Sequence, residues 1–160
     1  MALEGDRAPR PFLETPASEA DPMFSPDGRW LAYMSNESGR WEVYVRPYPG
    51  PGAARQISTE GGHQPLWSRD GRALYYRWSS QVLMVPLQTE PDLVAGKAEV
   101  LFEGRYSNVR GQFGRMYDVT PDGERFLMLR VGDPPPPATH YNVVLNWFSE
   151  LERLAPGGKR

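Results

Sequence analysis

The chain contains no cysteine and only two histidines, His63 and His140. Disulfides, thiolate zinc sites and cysteine nucleophiles are thereby excluded, while the compartment stays open. The histidines are not paired at a metal-binding spacing, so no metal site is expected. Charge of one sign is also lacking: 18 Lys+Arg stand against 20 Asp+Glu, for a net charge of −2. No global field draws the chain to nucleic acid or to an anionic membrane, and neither is an expected partner. No stretch approaches the roughly 18 apolar residues of a membrane span, and Met1–Arg7 has no apolar run behind its charges. A soluble chain without a signal peptide is expected. G-x-S-x-G and P-loop patterns are absent too, and the glycine clusters Gly50-Pro51-Gly52 and Gly61-Gly62 precede no helix pattern. The expectation is a non-enzyme that takes no cofactor.

What the 160 residues do contain is 17 Pro and 16 Gly, spread between short runs rich in Val, Tyr, Trp, Phe and Thr. That is the chemistry of many turns joining short strands, an all-β chain. The runs repeat. Phe24–Tyr33 reads FSPDGRWLAY, Trp67–Tyr76 reads WSRDGRALYY, and Val119–Met128 reads VTPDGERFLM. Asp27-Gly28, Asp70-Gly71 and Asp122-Gly123 each supply a side-chain acceptor and a residue tolerant of positive φ, which a tight hairpin turn needs. A third strand is expected at Trp41–Arg46, Gln81–Val85 and Tyr141–Trp147. An outer fourth strand is expected at Ala54–Ser58 and Ala98–Phe102, making each unit a four-stranded antiparallel meander. The Asp residues recur after 43 and 52 positions, periods that suit propeller blades.

FSPDGRWLAY and QPLWSRDGRALYY resemble the blade signature of TolB-like, WD40-like bacterial β-propellers. The closing YNVVLNWFSELERL is similar to the ends of propellers appended to bacterial kinase or regulatory proteins. The resemblance implies three blades per chain, and many relatives of this kind are extracytoplasmic. It says little about function, because such propellers serve unrelated proteins.

The expected organisation is a flexible terminus at 1–9, an outer strand at 10–16, blades at 17–59, 60–103 and 104–148, and a short helix and tail at 149–160. The helix would open on the capping box Ser149-x-x-Glu152. The third blade lacks an outer strand of its own, while Phe12 and Leu13 look like one in search of a blade. Three blades cannot close a ring, and open faces carrying groups such as Trp30, Tyr33, Phe126 and Met128 would be left in water. Two chains would make a six-bladed ring, each lending Phe12–Leu13 to the other, a closed isologous exchange.

The three turn aspartates are explained by local hydrogen bonding and are not expected to be ligands. At the rim of the expected channel, His63 has Ala20 and Arg115 as repeat counterparts, with Glu19, Asp21 and Gln64 nearby. These five polar residues, Glu19, Asp21, His63, Gln64 and Arg115, are weak candidates for a ligand site. The aromatics Trp41, Tyr44, Tyr48, Tyr75, Trp78 and Tyr106 are expected to pack blade on blade. The leading expectation is an assembly or protein-interaction module, a homodimer with a possible peptide or protein partner at its channel face. The alternatives are a metal-dependent lactonase- or esterase-like hydrolase at the channel mouth and a small-ligand sensor.

Overall fold

The computed structural model describes residues 11–107, 114–130, 132 and 153–154. Its organising element is the Asp-Gly turn, built three times from the same bonds. Asp27 Oδ1 accepts from Ser25 Oγ at 2.5 Å and from the Arg29 amide at 3.1 Å. Asp70 Oδ1 accepts likewise from Ser68 Oγ at 2.7 Å and the Arg72 amide at 3.0 Å. Asp122 Oδ1 does so from Thr120 Oγ1 and the Glu124 amide. In each turn the hydroxyl also accepts the amide five residues on, from Trp30, Ala73 or Arg125. Gly28, Gly71 and Gly123 lie at φ of 71°, 72° and 76°, where a Cβ would be strained.

These turns set up successive antiparallel meanders. The first sheet comprises β1 (Glu19–Phe24), β2 (Trp30–Ser35), β3 (Glu42–Pro47) and β4 (Arg55–Gln56), in that spatial order. The second comprises β5 (His63–Trp67), β6 (Ala73–Trp78), β7 (Gln81–Gln88), β8 (Val94–Ala95) and β9 (Glu99–Glu103). Here the outer edge is split. β9 pairs with Gln81–Met84 of β7, and the two-residue β8 pairs with Leu87 and Gln88. A single outer strand at Ala98–Phe102 was expected; Pro91 and Gly96 bracket β8 and interrupt the edge. The third unit contributes β10 (Tyr117–Val119) and β11 (Phe126–Met128). The strand expected at Tyr141–Trp147 and the capping box at Ser149–Glu152 lie outside the described residues.

Alternation along β2, β6 and β11 decides what fills each junction between sheets. Ala32 faces forward onto Trp67 and Leu74 in one apolar cluster with Val43, Val45 and Val85. One repeat later Tyr75 faces forward into a second cluster with Leu66 and Tyr117, meeting the Phe126 ring edge-on at 5.2 Å. Phe126 and Met128 are therefore packed against the second sheet, and Tyr33 is buried and stacked on Tyr44 at 5.8 Å. The open face lies one residue out of phase with the expected one: Leu127 is 71% exposed and Leu129 52%. A side-chain period of two makes that difference a whole face.

Residues 11–18 form no strand. Phe12 lies against the first sheet, with its ring 5.0 Å from that of Tyr48 and under the Arg46 guanidinium at 5.0 Å. No helix among the described residues is long and apolar enough to cross a membrane.

Candidate functional site

The innermost strands β1 and β5 carry the same irregularity. Their registers against β2 and β6 shift between Ala20 and Met23 and between His63 and Leu66. The extra residue in each is non-glycine and left-handed: Asp21 at φ 52° and Gln64 at φ 54°. Such bulges re-aim side chains and are frequent beside functional sites. Both residues aim at Gly114, which leads into the third unit. Gln64 Nε2 donates to the Gly114 carbonyl at 2.8 Å, and the Gly114 backbone hydrogen-bonds the Asp21 carboxylate. Tyr117, buried in β10, donates its hydroxyl to the Gln64 carbonyl at 2.9 Å. One glycine thus ties together the inner strands of all three units.

Electrostatics set the character of this end of the strands. Burial raises the Asp21 carboxyl above its usual value, against the Gly114 hydrogen bond and His63, which lower it. His63 is lowered, first by burial and then by the Arg77 charge, with Asp21 and Glu42 opposing. Its ring lies 5.2 Å from that of Trp78. Arg77, opposite His63 across β5 and β6, is only 3% exposed. Its Nη1 donates to the Ser107 carbonyl at 2.6 Å.

The other candidates go elsewhere. Glu19 accepts from Thr15 Oγ1 and contributes to the field at Tyr33, away from the Asp21 and His63 pair. Arg115 reaches Met23 Sδ at 3.2 Å and lines a cleft of about 210 Å³ with Leu66, Arg69 and Asp118. The turn aspartates sit in the hairpins, held below the usual carboxylate range chiefly by the Ser or Thr hydroxyl beside each. Among the described residues no three His, Asp or Glu side chains are grouped to hold a metal ion. What this end of the inner strands offers is hydrogen bonding and an imidazole and a carboxylate, His63 and Asp21, that influence each other electrostatically.

A buried carboxylate escaped the sequence pattern. Glu42 is fully buried at the start of β3 and accepts from Ser58 Oγ, from the Gly61 amide at 3.0 Å and from Arg40 Nε at 2.6 Å. Its partners lie 16 and 19 residues downstream, so only the pairing of Ser58 and Gly61 with one strand end would have revealed it.

No family model matches the chain. Over 67 residues, 40% of this chain, it is 36% identical to the "Uncharacterized peptidase YuxL" of Bacillus subtilis. A solved structure described as a "putative 6-phosphogluconolactonase" from Bacteroides uniformis covers 72% of this chain at 21% identity and a TM-score of 0.46. The described residues form antiparallel sheets of four, five and two strands, and the chain spans 10% of the first protein and 34% of the second.

Proposed function

We propose that the chain is a non-catalytic β-propeller segment that assembles with a second copy of itself. One relationship supports this: at each end of the described sheets one residue whose repeat counterparts fill a junction, Phe24 at one end and Leu127 at the other, is exposed. Trp67 and Val119 hold equivalent repeat positions and pack backward onto the preceding blade. Their counterpart in the first blade is Phe24, which is 49% exposed beside Tyr48, itself 38% exposed. Ala32 and Tyr75 pack forward, and their counterpart is the exposed Leu127. An aliphatic face at one end and an aromatic face at the other match as successive blades match each other. Mutual docking about a two-fold axis satisfies both and closes.

In such a ring the partner subunit's Phe12 and Leu13, lying on the back of its first blade, reach the third blade across the junction. The polar groups around Asp21, His63 and Gln64 then line the axis of a six-bladed ring, open to a protein or peptide partner.

The mass in solution tests it. Light scattering should give twice the 18.1 kDa chain mass at micromolar concentration, and Leu127→Asp should return the chain mass. A wild-type monomer would sink the proposal, and a trimer would replace it with a nine-bladed ring.

A further inference from the structure

The second copy of the repeat departs from the other two where it borders the third. Arg69 stands where the first and third copies have Pro26 and Pro121, Ala73 where they have Trp30 and Arg125, and Tyr75 where they have Ala32 and Leu127. All three line one cleft between the second and third Asp-Gly turns, together with Arg72, Thr120 and Asp122. Its volume is about 210 Å³. The corresponding cleft between the first and second turns, lined by Pro26, Asp27, Asp70 and Thr89, is about 90 Å³. The departures therefore converge on a space more than twice as large, at the end of β5 opposite His63.

Tyr75 supplies a polar group to this cleft that packing does not require. The residue is 7% exposed, and a Cβ added to Gly123 would lie 3.5 Å from its hydroxyl oxygen, so the hydroxyl reaches across to the third turn. Its ring is held without the hydroxyl, edge-on to Phe126 and clustered with Leu66 and Tyr117. The hydroxyl has no hydrogen-bond partner among the described residues. A polar group so placed is costly unless something in the cleft bonds to it. Burial, and then the Asp70 charge, raises Tyr75 above its ordinary value, which keeps the hydroxyl a donor at neutral pH.

The two walls differ in charge. Arg69 and Arg72 belong to the second turn, and neither guanidinium forms an ion pair among the described residues, whereas Arg29 of the first turn pairs with Asp27 and Glu90. Asp70 lies between them in sequence, with Oδ1 taken by Ser68 and the Arg72 amide. On the third turn the charged lining group is Asp122, whose Oδ1 holds the turn and leaves Oδ2 outside it. Two guanidinia on one wall and a carboxylate on the other complement a ligand that carries a carboxylate and an ammonium group.

We infer that this cleft binds a small zwitterion of the α-amino acid type, with its carboxylate on Arg69, Arg72 and the Tyr75 hydroxyl and its ammonium group on Asp122. The site lies within one chain, so it fails or holds apart from the assembly proposed above: a monomer that binds the zwitterion ends the ring alone.

The test titrates L-alanine into the full chain while the backbone amides of Gly71 and Gly123 are followed by nuclear magnetic resonance. Saturation with a Kd below about 10 mM is expected, modest because the charged groups are exposed and screened by water. Lactate, which lacks the ammonium group, and L-alaninamide, which lacks the carboxylate, should each bind about tenfold more weakly or worse. Tyr75→Phe keeps the ring and should weaken alanine by about threefold to tenfold. Arg69→Pro, which restores the residue of the other two turns, should weaken it by about tenfold or more. Asp122→Asn, which keeps the acceptor of its turn, should bring alanine down to the affinity of lactate. An unchanged far-ultraviolet dichroism spectrum shows that each variant folds; if Arg69→Pro does not, Tyr75→Phe and the two analogues decide. No saturation by about 100 mM, equal binding of either analogue, or unchanged affinity in Tyr75→Phe would overturn the assignment.

Discussion

Asp21 and Gln64 occupy the same position of successive sheets and hold the same glycine by its two backbone groups. The Asp21 carboxylate meets the backbone of Gly114, and the Gln64 amide donates to its carbonyl at 2.8 Å. Both do so from left-handed backbone, at φ 52° and 54°. The strained conformation is what turns an inner-strand side chain toward the third unit. Sequence repetition thus becomes a repeated bulge, and the bulges link the three units.

Cutting one of these ties should cost what a buried hydrogen bond costs. Gln64→Ala leaves the Gly114 carbonyl without its donor, a loss of about 1–3 kcal/mol. Gln64→Gly loses the same bond but relieves the left-handed backbone, so it should be less destabilised than Gln64→Ala by about 1 kcal/mol. Urea unfolding of the two variants checks the order; the reverse order would mean that the backbone at 64 relaxes out of the bulge.

His63 should make stability depend on pH near neutrality. Its folded value lies below the ordinary 6.5, so the unfolded chain binds the proton more readily. The contribution is fully present above 6.5 and is lost as pH falls from there through the lower folded value. The charges bearing on the ring are Arg77, which favours the neutral form, and Asp21 and Glu42, which oppose it. Wild-type Tm should fall between pH 7.5 and about 5.5 relative to His63→Gln, which lacks the titrating ring. Parallel Tm curves for the two would remove His63 from the balance.

The turn aspartates act lower on the pH scale with the same sign. Asp27, Asp70 and Asp122 all lie below the unfolded value of 3.8, so their stabilisation is present above it and fades as pH falls through the folded values. Asp70→Ala should cost about 0.5–1 kcal/mol at neutral pH, the low part of the hydrogen-bond range, because water competes at this exposed turn. The difference between Asp70→Ala and wild type should shrink to near zero by about pH 2, read from urea midpoints.

These turns were legible in the sequence because all their chemistry is local: hydroxyl, carboxylate, glycine and the returning amide lie within six residues. The strands after them were legible for the same reason. The exposed face of β11 was not, since Phe126, Leu127 and Met128 are all apolar and alternation cannot choose between the two faces without a polar residue to mark one. The rim was half legible. Repeat position placed Asp21, His63 and Gln64 together, but Glu19 sits one bulge away and turns to Thr15. Arg77 and Glu42 were missed because each lies in an ordinary strand pattern, and their meaning comes from residues 16 to 30 positions distant.

Glu42 should prove more consequential than any surface ion pair. Its carboxylate satisfies Ser58, Gly61 and Arg40 from a fully buried position, so Glu42→Gln exchanges one acceptor oxygen for a donor facing other donors. A loss of about 1.5–3 kcal/mol is expected, the range for hydrogen bonds to a charged group. Arg40 is 56% exposed, and Arg40→Ala should cost no more than about 1 kcal/mol. Equal losses in the two variants would show that the ion pair, rather than the Ser58 and Gly61 bonds, carries the contribution.

Phe12 distinguishes an intrachain anchor from an interchain one. In the single chain its ring rests on Tyr48 and beneath Arg46, and Tyr48 in turn meets the exposed Phe24. If this aromatic surface receives the Leu127 face of a second chain, Phe12→Ala removes apolar area from both contacts. A destabilisation coupled to association depends on protein concentration, because dilution favours the separated chains by mass action. The Tm deficit of Phe12→Ala should therefore be larger at about 100 µM than at about 1 µM, where dilution has already removed part of the wild-type association, and the same variant should shift the light-scattering mass toward the single chain on dilution. A deficit identical at both concentrations would confine Phe12 to its own blade.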